Sequence, residues 1–121
     1  MNEFPGFMKH PANMVDPDSQ FTSGIEGYVF DGVDGSQMAF WTYKDNAVSK
    51  EHKHPYEEYM IVVQGQYDLF IGEDVISLLA GDEYVIPRET LHSGEAYSGT
   101  RAIYAFGGNR AKRAIKTLRE I

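Results

Sequence analysis

From residue 25 onward, turn residues interrupt the chain about every eight to ten positions, and that cadence limits what it can fold into. Asp31-Gly32-Val33-Asp34-Gly35, Gln64-Gly65-Gln66, Gly72-Glu73-Asp74 and Ala80-Gly81-Asp82 are the clearest turns. The segments between them are too short for useful helices and rich in β-branched and aromatic residues. Strands are therefore expected over 25–30, 36–43, 59–63, 67–71, 75–79, 83–86 and 100–106. Closely spaced strands joined by tight turns make an antiparallel barrel or sandwich. The period changes after Gly107-Gly108-Asn109. Ala111, Ala114, Ile115 and Leu118 fall at i, i+3, i+4 and i+7, so 110–121 reads as a short amphipathic α-helix with Asn109 as its N-cap. Residues 1–24, broken by Pro5, Gly6, Pro11, Pro17 and Gly24, read as an irregular arm that packs on the barrel or a partner, or as a partly ordered terminus.

A chain of 121 residues with 42% hydrophobic content suits one domain with one core. There is no Cys, which removes disulfides, thiolate ligands and thiol nucleophiles together and makes a cytoplasmic setting the simplest reading. No signal peptide is visible at the N-terminus, and no apolar run reaches the roughly 20 residues of a membrane span. A net charge of −7 argues against nucleic acid as a partner. The charge is uneven, +4 over residues 110–121 and −11 over the rest. The basic tail reads as a solvated helix face, or as a contact onto the acidic body of its own or a neighbouring subunit.

Three of the four histidines belong to one spaced set: His52, His54 and His92, with Glu58 between them. His52 and His54 are two apart, so on an extended chain both can face inward. Glu58 opens the next strand with Met60 and Val62 on its own side, and His92 returns from elsewhere in space. Imidazole and carboxylate donors suit a divalent first-row ion: Fe, Mn, Ni, Cu and Zn all remain candidates. Four such ligands leave two open positions on an octahedral ion for water or substrate. The histidines must be neutral to bind, so affinity should weaken as pH falls through about 6.5. Tyr84, inward by alternation along with Ile86, is a candidate proton donor, and Glu57, beside the ligands, a candidate general base. Packing and solvated-loop roles stand against these two. Arg88 and Arg101 could each pair with an anionic substrate or lie at the surface, and His10 reads as solvated.

These residues resemble the cupin superfamily. Its first motif, His-x-His, three residues, Glu, six residues, Gly, is matched by His52, His54, Glu58 and Gly65. Its second, Gly, five residues, Pro, then His five after the Pro, is matched by Gly81, Pro87 and His92. The chain departs from the pattern at Asn46, Glu89 and Ala96, where the usual residues are Gly, Gly and Asn. The resemblance implies an all-β double-stranded β-helix, or jelly-roll, barrel over 25–106, flanked by the arm of 1–24 and the helical segment of 107–121. It also implies a metal inside the barrel and a homodimer. The stretch from His54 to Glu58 is further similar to small cupins that act on uronate sugars. The resemblance does not name a reaction, because one fold hosts many chemistries.

Three functions therefore remain in view. The first is a metal-dependent enzyme acting on a small polar substrate of sugar-acid or hydroxy/keto type, by Lewis-acid or dioxygen chemistry. The second is a metal-containing module that binds or senses a small molecule without turnover. The third is a metal-free structural barrel, for which the complete ligand set would be superfluous.

Overall fold

The computed structural model describes residues 1–16 and 24–114. Among these, nine strands form two antiparallel sheets: β1 Ile25–Asp31, β2 Gln37–Tyr43, β3 Ala47–His52, β4 Glu58–Gln64, β5 Gln66–Ile71, β6 Asp74–Leu79, β7 Glu83–Ile86, β8 His92–Ala96 and β9 Thr100–Phe106. One sheet has the order β1-β2-β9-β4-β7 and the other β3-β8-β5-β6. The two face each other as the halves of a jelly-roll barrel.

Alternation decides which side chains fill the barrel. Along β4, Glu58, Met60 and Val62 are buried while Tyr59, Ile61 and Val63 lie on the other face, as the sequence suggests. Val29, Ala39, Leu69 and Ile86 complete the driest part of the interior. The outer face of the five-stranded sheet is also apolar. Phe30, Met38, Ala105, Tyr59 and Val85 are direct cross-strand partners and form one row across all five strands. Phe30, Met38 and Val85 remain exposed.

The N-terminal arm contains two short 3-10 turns, Gly6–Met8 and Pro11–Asn13. Phe4 is buried against Phe40, beneath the Arg101 guanidinium at 4.7 Å. Arg101 also donates to the Gln64 side chain at 2.8 Å and to the Met1 carbonyl at 3.1 Å, so it ties arm to sheet. His10 is exposed and its Nδ1 accepts from the Ala12 amide.

The helix expected over 110–121 is corrected over its first turn. Arg113 pairs with Val15 in an isolated bridge, and the Ala114 amide donates to the Met14 carbonyl. The buried amide of Gln37 takes the backbone N–H groups of Arg110 and Ala111 at 2.7 and 2.8 Å. Those donors go to the barrel and the arm, so no helical turn forms there. The remainder of that helix, 115–121, lies outside the described residues, as do residues 17–23.

Two positions with positive φ show how the turns constrain the chain. Gly65, the last residue of the first motif, has φ +86°, and a Cβ there would lie 2.8 Å from the Thr100 Cα. Glu89 occupies the second-motif position where glycine is usual, and its φ is 59°, a conformation that disfavours any residue with a Cβ.

Three substitutions at positive-φ sites should therefore move stability in different directions in urea unfolding. Gly65→Ala combines backbone strain with a clash and should cost about 2–4 kcal/mol; Gly72→Ala, at positive φ but in open space, should cost about 1 kcal/mol. Glu89→Gly should instead stabilise by about 0.5–1 kcal/mol, since only an exposed 3.9 Å ion pair with Lys53 is lost.

Candidate metal centre

β3 is bulged. Its register against β8 shifts between Ser49 and His52, and both of these residues face the interior although they are three apart. Strict alternation from Ser49 would have turned Glu51 inward and His52 outward. After the bulge His52 sits directly opposite His92 of β8, with ring centres 4.3 Å apart. His54 follows in the β3–β4 loop, where its ring stacks on Tyr56 at 4.3 Å and 6°. Glu58 enters from the opposite sheet as the first residue of β4. The site therefore spans both sheets.

The donor atoms of His52, His54 and His92 all lie within 4.8 Å of one another. Glu58 Oε1 is 3.0 Å from His54 Nε2 and 3.9 Å from His92 Nε2. Each imidazole is oriented the same way. Nδ1 of His52 faces the Lys50 carbonyl at 2.7 Å, Nδ1 of His54 the Tyr56 carbonyl at 3.0 Å, and Nδ1 of His92 the Thr90 carbonyl at 2.8 Å. A carbonyl oxygen only accepts, so each Nδ1 carries a proton, and each ring, when neutral, keeps its Nε2 lone pair for the centre. Burial pushes the His52 imidazole below its ordinary value, which favours that neutral form.

This arrangement tests the fit of a cation. The Nε2 of neutral His54 and the Glu58 carboxylate are both acceptors, yet they approach to 3.0 Å. Two acceptors at that distance need a positive centre between them, either a proton or a metal. Two ligands bound about 2.1 Å from one ion at right angles are themselves about 3.0 Å apart. The three imidazoles therefore fit a divalent metal, with the Glu58 carboxylate beside them.

The surrounding cavity is lined by Trp41, Tyr43, Ser49, Tyr67, Tyr104, Phe106 and Arg110 together with His52, Glu58 and His92. It opens to solvent and offers about 30 Å³ to the centres of water molecules, so it admits a few waters. The Tyr43 and Tyr104 hydroxyls are hydrogen-bonded at 2.7 Å, and burial holds both phenols well above their ordinary values. Burial likewise pushes the Tyr67 phenol up to about 12. All three remain protonated at neutral pH and act as hydroxyl groups rather than bases.

Other residues singled out in the sequence lie elsewhere. Tyr84 pairs with Met60, two rungs from the Glu58–Ile86 pair, and is partly buried against the core but not part of the cavity lining. Glu57 and Arg88 are exposed and also absent from that lining, and Arg101 is committed to the outer face. Sequence reasoning missed Arg110 as a cavity residue, having read it as part of a basic tail that is either a solvated helix face or a contact onto the acidic body of its own or a neighbouring subunit. The signal available was its place just past the final strand, four residues after Phe106, beyond two glycines that cannot extend a strand well.

With this geometry in hand, relatives can be compared. No curated protein is a significant match to the chain. Among solved structures, KdgF from a Halomonas species superposes with a TM-score of 0.63 at 22% identity, over 78% of this chain and 84% of that one. An RmlC-like cupin from Shewanella frigidimarina gives 0.66 at 17% identity over 88% of both chains. The polyketide cyclase RemF from Streptomyces resistomycificus gives 0.63 at 15% identity, over 79% and 75%. At these identities the likeness is one of fold. The cupin-domain family Cupin_2 matches residues 39–106, more than half of the sequence, and the chain belongs to that family.

Proposed function

We propose that this protein is a metal-dependent small cupin enzyme acting on a small polar substrate of sugar-acid or hydroxy/keto type. One observation carries the reading: three backbone carbonyls fix three imidazoles so that their Nε2 lone pairs and the Glu58 carboxylate meet at one point. His52, His54, Glu58 and His92 are its metal ligands. The bound ion, one of Fe, Mn, Ni, Cu or Zn, would supply Lewis acidity to a substrate oxygen or, if iron, the means to activate dioxygen. The chain's own residues do the rest. Trp41 and Phe106 line the cavity with apolar rings that exclude water, and the Tyr43, Tyr67 and Tyr104 hydroxyls beside them offer neutral hydrogen-bonding groups to substrate oxygens. Tyr84 as proton donor and Glu57 as general base are the proton-transfer roles the assay below tests.

A second reading, a binding or sensing module without turnover, draws on a different observation. Among the described residues that line the cavity, Glu58 is the only carboxylate, and as a ligand it is unavailable as a base.

We further propose that the protein is a homodimer. The apolar row from Phe30 to Val85 on the outer sheet face supports a second copy as its cover, because a sheet face turned to water is ordinarily polar.

Three outcomes are expected. Added metal should raise the Tm of chelator-treated protein by about 10 °C at an ion concentration about a hundredfold above Kd, and His54→Ala should abolish the rise. Elemental analysis should find one bound transition metal, and a panel of sugar acids and hydroxy or keto compounds should reveal turnover lost in His54→Ala. Loss of turnover with metal retained in Tyr84→Phe or Glu57→Gln supports those roles, and unchanged turnover removes them. Ligand binding without any turnover favours the second reading, and no bound metal with no thermal shift defeats both. Met38→Glu, which would oppose like charges across a two-fold axis, should yield monomers in analytical ultracentrifugation.

A further inference from the structure

Tyr56 is neither in the ligand set nor in the cavity lining, yet it touches His54 at two places. Its ring lies flat on the imidazole, with centres 4.3 Å apart and planes within 6°. Its carbonyl faces His54 Nδ1 at 3.0 Å. These contacts matter more for His54 than for the other two imidazoles. His52 and His92 are strand residues paired across a ladder, whereas His54 stands in the loop between β3 and β4. Its backbone is tied to the next loop, where the Glu89 N–H donates to the His54 carbonyl at 2.8 Å. That bond fixes the peptide and leaves the ring free to turn, so the ring must be held by what it packs against.

Tyr56 is in turn seated by the chain just past β9. Phe106 meets its ring edge-on, with centres 6.5 Å apart and planes at 80°. The Gly107 N–H donates to the Glu57 carbonyl at 2.8 Å, which pins this tail to the loop that carries Tyr56. Gly108 then packs against the ring itself. A Cβ there would lie 2.5 Å from Tyr56 Cδ2 and 2.9 Å from Cγ, so the ring or the tail would have to move. A Cβ on Gly107 meets its nearest atoms at 3.5 Å, an ordinary contact. Two adjacent glycines thus differ in what they do, and only the second makes room for the ring that covers His54.

We propose that Tyr56 is a positioning residue for His54, and that Gly108 keeps it in place, so that the tail after β9 governs how well the centre holds its ion. The inference rests on the metal-centre reading for the role of His54 as a ligand. Groups that orient a ligand from behind it typically carry about 10- to 100-fold in metal affinity. The ring acts through its face rather than its hydroxyl, since the flat stack engages the face and the carbonyl belongs to the backbone.

A double-mutant cycle on the full chain tests this with two readouts. Zn(II) is titrated calorimetrically into chelator-treated protein, and the His54 ring protons of the same metal-free protein are followed by NMR at one fixed pH, assigned with His54→Gln. A stacked ring shields the protons beneath it, so the His54 signals should lie upfield in wild type. Tyr56→Phe keeps the face and should leave affinity within about twofold and the shifts in place. Tyr56→Ala should weaken Zn(II) binding by about tenfold or more and release the shifts downfield. Gly108→Ala should do the same in wild type and nothing further in Tyr56→Ala, where the clash is gone, because coupled neighbours are not additive. Gly107→Ala should resemble wild type. Three results would overturn the proposal: Tyr56→Ala with wild-type affinity, Gly108→Ala no different from Gly107→Ala, or a Gly108→Ala effect that persists undiminished in Tyr56→Ala. A lower Tm with unchanged affinity and shifts also overturns it, since Tyr56 would then be packing alone. Wild type that binds no metal defeats the metal-centre reading, and the ring shifts of the metal-free cycle then still decide whether Tyr56 and Gly108 hold His54.

Discussion

A 3.0 Å contact between His54 Nε2 and Glu58 Oε1 organises this site. With its Nδ1 turned to the Tyr56 carbonyl, His54 meets the carboxylate through Nε2. The contact is tolerable only with a positive centre between them. His54 comes from the loop after β3, His52 and His92 from the four-stranded sheet, and Glu58 from the five-stranded sheet. A cation at their meeting point would thus cross-link the two layers of the barrel at the place where hydrophobic packing gives way to a polar cavity. The carbonyls of Lys50, Thr90 and Tyr56 belong to the same design, because they settle which nitrogen each ring turns inward.

The sequence revealed most of the strand plan because most strands bury one apolar face. β4 is the clearest case, with Met60 and Val62 on the side of Glu58. β3 and β8 were invisible as strands for a related reason. Their inward positions are Ala47, Ser49 and His52 on one and His92, Gly94 and Ala96 on the other, small or polar residues that carry little hydrophobic alternation. Gly94 is small because the Tyr67 hydroxyl occupies the space a side chain would need. That His52, His54, Glu58 and His92 would come together was legible from their spacing, since motif spacing survives where hydrophobic patterning fails. Arg110 was not. The apolar positions after it do have a helical period, but the backbone donors of 110 and 111 are captured by Gln37, a partner 73 and 74 residues away. Local periodicity carries no record of such a long-range competitor.

The aromatic residues divide in the same way. Trp41, Tyr43, Tyr67 and Tyr104 surround the cavity, whereas Phe40 and Tyr59 lie on the outer face and Tyr97 donates to Asp68 at 3.0 Å. Residue type alone could not sort them, because every strand of a barrel offers an aromatic ring two equally good apolar environments. Strand register sorts them: inner and outer rows alternate, and only the inner ones reach the ligands.

The bulge in β3 has a consequence for how such a chain can vary over generations. Removing or adding one residue between Ser49 and His52 would rotate the first imidazole to the outside and dismantle the ligand set at a stroke. The β5–β6 turn at Gly72 and Glu73 lies among exposed residues, and length changes there leave the ligand register intact. Insertions and deletions should therefore be filtered by position rather than by size, with three peptide units in β3 fixed in number while the distant hairpin drifts.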